Sequence, residues 1–187
     1  MKKALLFVSI LFISIATTAC INNLAVQELN TKAKAYLDEG NYQEAIERLK
    51  SSIDLDDTIF ETHYNLAVAY TNNEDYANAI ESYQKAIELN PDMADVYYSL
   101  AVAQGNLAQD LKSGVVQIDE AEEFYKPEDF NDLDYKPSEE ILNKISELEQ
   151  EAITNYNTYL QKSPNAKDEE EIKAKIKELE GTNTDEE

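Results

Sequence analysis

Apolar and small residues return every three or four positions through residues 26–93, in blocks separated by polar turns. In residues 60–93 they are Leu66, Ala67 and Tyr70, then Tyr76, Ala79, Tyr83, Ala86 and Leu89, with Pro91 following. This spacing predicts one buried stripe on each of two helices, with a turn over residues 72–75 between them. Pro91 ends the second helix because it has no N–H to continue the hydrogen bonding. Residues 26–59 carry matching places at Ala33, Tyr36, Gly40, Tyr42, Ala45, Leu49 and Leu55, offset by 34 residues (Ala45 to Ala79). A third copy is split. Tyr97, Leu100, Ala101 and Leu107 continue the register from Ala94, but Ala152, Tyr156, Tyr159 and Pro164 arrive 39 residues late.

The added segment does not read as a flexible linker. Leu107, Leu111, Val115 and Ile118 extend the stripe of the first helix, and Ile141, Ile145, Leu148 and Ala152 form a returning one. Two facing stripes predict a helical extension of the third hairpin over residues 108–147. Gly114 is its weak point, a place for a kink. The tip, residues 125–137, holds two Tyr-Lys-Pro triplets around an acidic stretch, and Ser138 before Glu139 and Glu140 suits a helix start. Phe130 and Leu133 stand out as apolar residues among acids, candidates for a secondary contact; the alternative reading is that Phe130 packs back onto the solenoid as an anchor. A calcium loop is excluded, since Leu133 falls at the third ligand place and no glycine follows.

After Pro164 one more helix is expected. Asp168 and Glu171 have capping-box spacing, Ile172, Ile176 and Leu179 form a narrow stripe, and Glu169–Lys173 and Glu171–Lys175 are favourable pairs four apart. Gly181 marks its expected end.

The repeated unit resembles the tetratricopeptide repeat, a helix-turn-helix of 34 residues. Residues 60–93 meet nearly every framework position. Residues 26–59 depart from it at Lys32 and Asp57, where the family has leucine and proline. The resemblance implies an all-α, right-handed superhelical solenoid of about three repeats, the third carrying the inserted hairpin, with a C-terminal capping helix. It also implies a concave wall built from the first helix of each repeat. By register the inward positions are Asn30, Lys34 and Leu37, then Tyr64, Val68 and Thr71, then Tyr98 and Val102. One binding mode of the family clamps acidic carboxyl tails and needs several basic and amide groups. Here only Lys34 and Asn65 fall near such places, while Asp95 and Ser99 stand where basic groups belong. The groove therefore suits an extended or helical segment with apolar anchors and some lysine or arginine.

Composition narrows the function classes. Of 187 residues, 38 are acidic and 16 basic, a net charge of -22. Nucleic acid and anionic bilayers attract proteins through Lys and Arg, so neither is an expected partner by charge. One cysteine and one histidine, His63, leave no thiolate or imidazole site to assemble, and no carboxylate pair is singled out. No catalytic residue, metal, cofactor or small-molecule substrate is expected.

The first twenty residues have the layout of an export signal. Lys2 and Lys3 precede an apolar and small-residue run over residues 4–15, too short to span ~30 Å of hydrocarbon, and Ala16, Thr17, Thr18 and Ala19 lead to Cys20. This arrangement resembles the lipobox of bacterial lipoproteins, with Ala19 fitting and Thr17 replacing the usual aliphatic residue. The resemblance implies lipidation at Cys20 after cleavage, which leaves a mature net charge of -24 and anchoring by acyl chains alone. The expected layout is a signal peptide at 1–19, a lipidated tether at 20–24 and repeats at 25–165 (26–59, 60–93 and 94–165). A capping helix at 166–180 and a disordered tail at 181–187 complete it. The expected function is a lipid-anchored adaptor of the bacterial cell envelope that binds a protein or peptide. The alternatives are a soluble exported scaffold, or an accessory subunit of an envelope assembly or solute-uptake complex.

Overall fold

The computed structural model describes residues 22–119, 123–127 and 135–182. Within them seven helices form three antiparallel pairs and one closing helix. They are α1 (22–38) with α2 (Tyr42–Leu55), α3 (Phe60–Asn72) with α4 (Tyr76–Leu89), α5 (Ala94–Ser113) with α6 (Glu139–Lys162), and α7 (Glu169–Thr182). The core follows the sequence stripes. Ala33, Ala67 and Ala101 on the first helices, and Ala45, Ala79 and Ala152 on the second, are all fully buried. A methyl group at those crossings lets helix backbones approach, and a larger side chain would wedge them apart.

The departures in the first repeat have a physical reason. Lys32 stands where the later repeats bury Leu66 and Leu100, and Glu28 where they bury Thr62 and Val96. Among the described residues no helix precedes α1 to cover those positions. They form instead an exposed ion pair, Lys32 Nζ to Glu28 Oε1 at 2.7 Å. A solenoid end requires a polar face of this kind.

The turns inside repeats one and two share one device. Gly40 (φ 76°) and Glu74 (φ 56°) both occupy the left-handed region, one repeat length apart, and each closes its first helix. The next residue, Asn41 or Asp75, then donates its N–H back to the carbonyl of Tyr36 or Tyr70, at 2.8 and 2.9 Å. In the third repeat that place holds Ala108, and α5 runs on for more than another turn. Helix α5 stops at Gly114 (φ 78°), whose N–H reaches the Leu111 carbonyl at 3.3 Å.

The expected helical extension is therefore shorter than the sequence stripes suggest. Val115 and Ile118 do not continue α5, because Gly114 turns the chain out of the helix first. Val115 is exposed, Val116 folds back into the core, and Ile118 joins a small antiparallel ribbon. The ribbon, β1 (Gln117–Ile118) and β2 (Phe124–Tyr125), pairs Gln117 with Tyr125 and Ile118 with Phe124. The return helix starts as expected, with Ser138 accepting a hydrogen bond from the Ile141 N–H at 3.3 Å.

Helix α7 closes the other end. Ile172 is buried against α5 and α6, with Ile176 and Leu179 beside it. The pairs Glu169–Lys173 (2.7 Å) and Glu171–Lys175 (3.5 Å) form. One detail adds to the expectation and one departs from it. The Asp168 carboxylate receives the Tyr159 hydroxyl at 3.1 Å, a tertiary tie, and α7 passes through Gly181 to Thr182.

Candidate functional site

The inward positions of the first helices divide into three groups. Lys34 and Leu37 on α1 and Val68 on α3 line an open groove of about 380 Å³, together with Asp38, Tyr42, Asn65 and Asn72. Leu37 and Val68 are half-buried and make its apolar floor. Lys34 and Asp38 are exposed on its rim, four residues apart and so on one face of α1. Asn72 is partly committed, since its Nδ2 donates to the Val68 carbonyl at 2.8 Å.

Three other expected positions are spent on the solenoid itself. Asn30 Nδ2 donates to Thr62 Oγ1 at 3.0 Å and ties α1 to α3. Tyr64 stacks on Phe60 with ring centroids 6.0 Å apart and tilts against Tyr83 at the same separation. Thr71 Oγ1 donates to the Ala67 carbonyl at 2.9 Å and lies 3.3 Å from the Tyr83 hydroxyl. Burial pushes the Tyr83 phenol above its ordinary pKa, and the Thr71 contact partly offsets this.

The third repeat repeats the tyrosine arrangement. Tyr98 meets Tyr156 edge-on at 5.9 Å and Tyr159 at 5.5 Å, and Lys175 of α7 sits 5.9 Å above its ring. Val102 packs in the same cluster beside Ile176 and Leu179. Tyr98 and Val102 thus serve the closure of the C-terminal end, and they are not brought together with Lys34, Leu37 and Val68. Asp38 and Tyr42 were missed as groove residues. The four-residue step from Lys34 to Asp38 was the available signal for the first; Tyr42 reaches the groove from α2, which no reading of first helices would find.

Cys20, Phe130 and Leu133 lie outside the described residues. His63 is buried, with Nε2 bonded to the Asp57 carbonyl at 2.8 Å, so its ring serves a loop contact. Among the described residues no His/Cys/Asp/Glu group is arranged to hold a metal ion, and no helix is long and apolar enough to cross a membrane.

Two family models match, one described as the tetratricopeptide repeat over residues 60–93 and one as the TPR repeat over residues 33–74. No curated protein matches the chain in sequence. Several solved structures share the fold at low identity. The first TPR of Spaghetti (RPAP3), bound to the HSP90 peptide SRMEEVD, has 19% identity and a TM-score of 0.57 over 85% of this chain and 93% of that one. The second TPR domain of human RPAP3, in complex with the HSP70 peptide SGPTIEEVD, has 16% identity and a TM-score of 0.58 over 85% and 98%. The Arabidopsis OM64 TPR domain has 15% identity and a TM-score of 0.58 over 84% and 96%. Residues 33–93 thus match tetratricopeptide-repeat models, and the described residues fold as a tetratricopeptide solenoid.

Proposed function

We propose that this protein is a lipid-anchored adaptor of the bacterial cell envelope, which holds a protein or peptide partner in its concave groove and does no chemistry of its own. The observation that carries the reading is the open cavity between α1 and α3, with Leu37 and Val68 as an apolar floor and Lys34 and Asp38 as a rim of both signs. Similar solenoids hold peptides, as the two RPAP3 complexes show for those proteins. The acidic peptides in those complexes are poor models for this ligand. The net charge here is -22, and Asp95 and Ser99 leave Lys34 without basic companions in the third repeat. An extended segment with an apolar anchor over Leu37 and Val68, and with a lysine or arginine toward Asp38, fits better. Export and anchoring rest on the signal-like residues 1–19 and on Cys20.

Crosslinking pull-down from native membranes tests the groove. A partner recovered by the parent protein should be lost with Leu37→Glu/Val68→Glu while the melting temperature stays within a few degrees. Equal recovery with a folded variant refutes the groove. Cys20→Ser should free the protein from washed membranes and abolish palmitate labelling; unchanged retention and labelling would refute the anchor and leave the groove untouched.

A further inference from the structure

A second cavity lies away from the inward positions, where the ribbon folds back against the corner between α3 and α4. Its volume is about 540 Å³, within the range of pockets that hold a ligand group. None of its lining residues belongs to the concave groove. The floor is apolar: Leu107 and Val116 are buried, and Phe124 and Tyr76 are half-buried at its sides. The rim is acidic, with Glu74, Glu81 and Glu123 around the opening.

Charge decides what fits there. Lys126 is the one basic residue among those lining the cavity, and its Nζ is 3.9 Å from the Glu74 carboxylate with both side chains well exposed. An ion pair that long and that exposed holds the two side chains together only weakly, so a ligand can displace it. Burial raises the Asp110 carboxyl; the Lys126 charge opposes this, and Glu74 adds a smaller push in the same direction as burial. Burial raises the Tyr76 phenol, and Asp110 and Glu74 add to the shift. Glu74 is held at this rim by the left-handed turn that ends α3. The acidic tip of this chain, residues 128–134, is a poor occupant, since its four carboxylates among seven residues would add to the same charge.

We propose that this cleft is a second docking site, which takes a segment of a partner protein carrying an apolar side chain next to a lysine or arginine. The apolar side chain sits over Leu107, Val116 and Phe124, and the cation meets Glu74, Glu81 and Glu123. The insertion that interrupts the third repeat then has a task, to supply one wall of a binding site that an uninterrupted solenoid lacks.

The test uses the full-length chain and a short fluorescein-labelled peptide of alternating leucine and arginine, followed by anisotropy at ~0.15 M salt, where the Debye length is about 8 Å. Glu74→Gln/Glu81→Gln/Glu123→Gln should weaken binding about tenfold with an unchanged melt, because three rim charges are lost at contact distance. Glu44→Gln/Glu47→Gln/Glu178→Gln removes as much charge elsewhere and should change binding less than about twofold, since charges beyond a Debye length are screened. Equal weakening by both triple variants would mean unspecific attraction and overturn the proposal. Weakening only by Leu37→Glu/Val68→Glu would place the peptide in the concave groove and also overturn it. About tenfold tighter binding after deletion of residues 128–134 would show that the chain's own tip fills the cleft, and the proposal would fail.

Discussion

The long hairpin of α5 and α6 is held by a buried ion pair whose removal has a calculable and asymmetric cost. Lys112 Nζ lies 2.6 Å from Glu149 Oε1, with side-chain exposures of 33% for the lysine and 5% for the glutamate. Lys112→Met keeps the aliphatic stem and deletes the charge, leaving the Glu149 carboxylate in the interior. Breaking a fully buried pair costs ~3–5 kcal/mol. Water reaches the lysine end here and Glu149 has further interactions, so we expect about 2–3 kcal/mol. For a chain of this length that lowers the melting temperature by roughly 4–12 °C. Replacing both partners, Lys112→Met/Glu149→Leu, removes the stranded charge and should restore stability to within about 1 kcal/mol of the parent. Thermal and urea melts of the parent, both single variants and the double complete the cycle. A double variant as unstable as Lys112→Met would show that the pair is not what burial of Glu149 depends on, and the reasoning would fail. Gln104 provides a control two turns away. It is buried, donates to Glu151 at 2.6 Å and accepts from Asn155 at 2.8 Å, and Gln104→Leu should add to Lys112→Met without coupling.

Glu74→Gly should raise stability by about 0.5–1 kcal/mol, because glycine adopts the left-handed turn without the side-chain strain that Glu74 bears and Gly40 avoids; a urea midpoint at or below the parent's would refute this. Burial pushes the Tyr156 phenol up to about 12 from 10.0, so its contribution is complete below pH 10 and is lost as pH rises from there toward 12, of order 2–3 kcal/mol in all. Melting temperatures taken from pH 8 to 11 should fall less steeply for Tyr156→Phe than for the parent, and parallel curves would count against the assignment.

The repeat frame was readable because its signals are of the kind that periodicity reports. Ala33, Ala67 and Ala101 recur at one interval, and all three are fully buried at helix crossings. The hairpin interior was not readable, because Gln104, Lys112 and Glu149 score as solvent-facing in any pattern of apolar and polar positions. Gln104 and Glu149 become interior residues, and Lys112 a half-buried one, only once α5 and α6 outrun the normal repeat and pack against each other. The inward positions were half-readable for a related reason. Register identified which face Asn30, Tyr64, Thr71 and Tyr98 occupy, but that face also carries contacts to the next first helix and to the second helices. Thr62, Tyr83 and Tyr156 claim these four before a ligand can.

The interruption of the third repeat turns on a single position. In the first two repeats a residue in the left-handed region ends the first helix one repeat length apart, at Gly40 and Glu74. Alanine at 108 offers no such exit and favours helix, so α5 continues with Leu107 and Leu111 still facing the core. Continuation exposes a stripe that a normal second helix would be too short to cover, and α6 answers it by starting early, with Ile145 and Leu148 buried ahead of Ala152. Gly114 then supplies six residues later the left-handed turn that Ala108 withheld. From that turn Val116 and Phe124 are directed back toward the second repeat, where they close the acidic cleft. The added segment thus lengthens one hairpin and reaches back across its neighbour, coupling two repeats whose main contact is otherwise between α4 and α5.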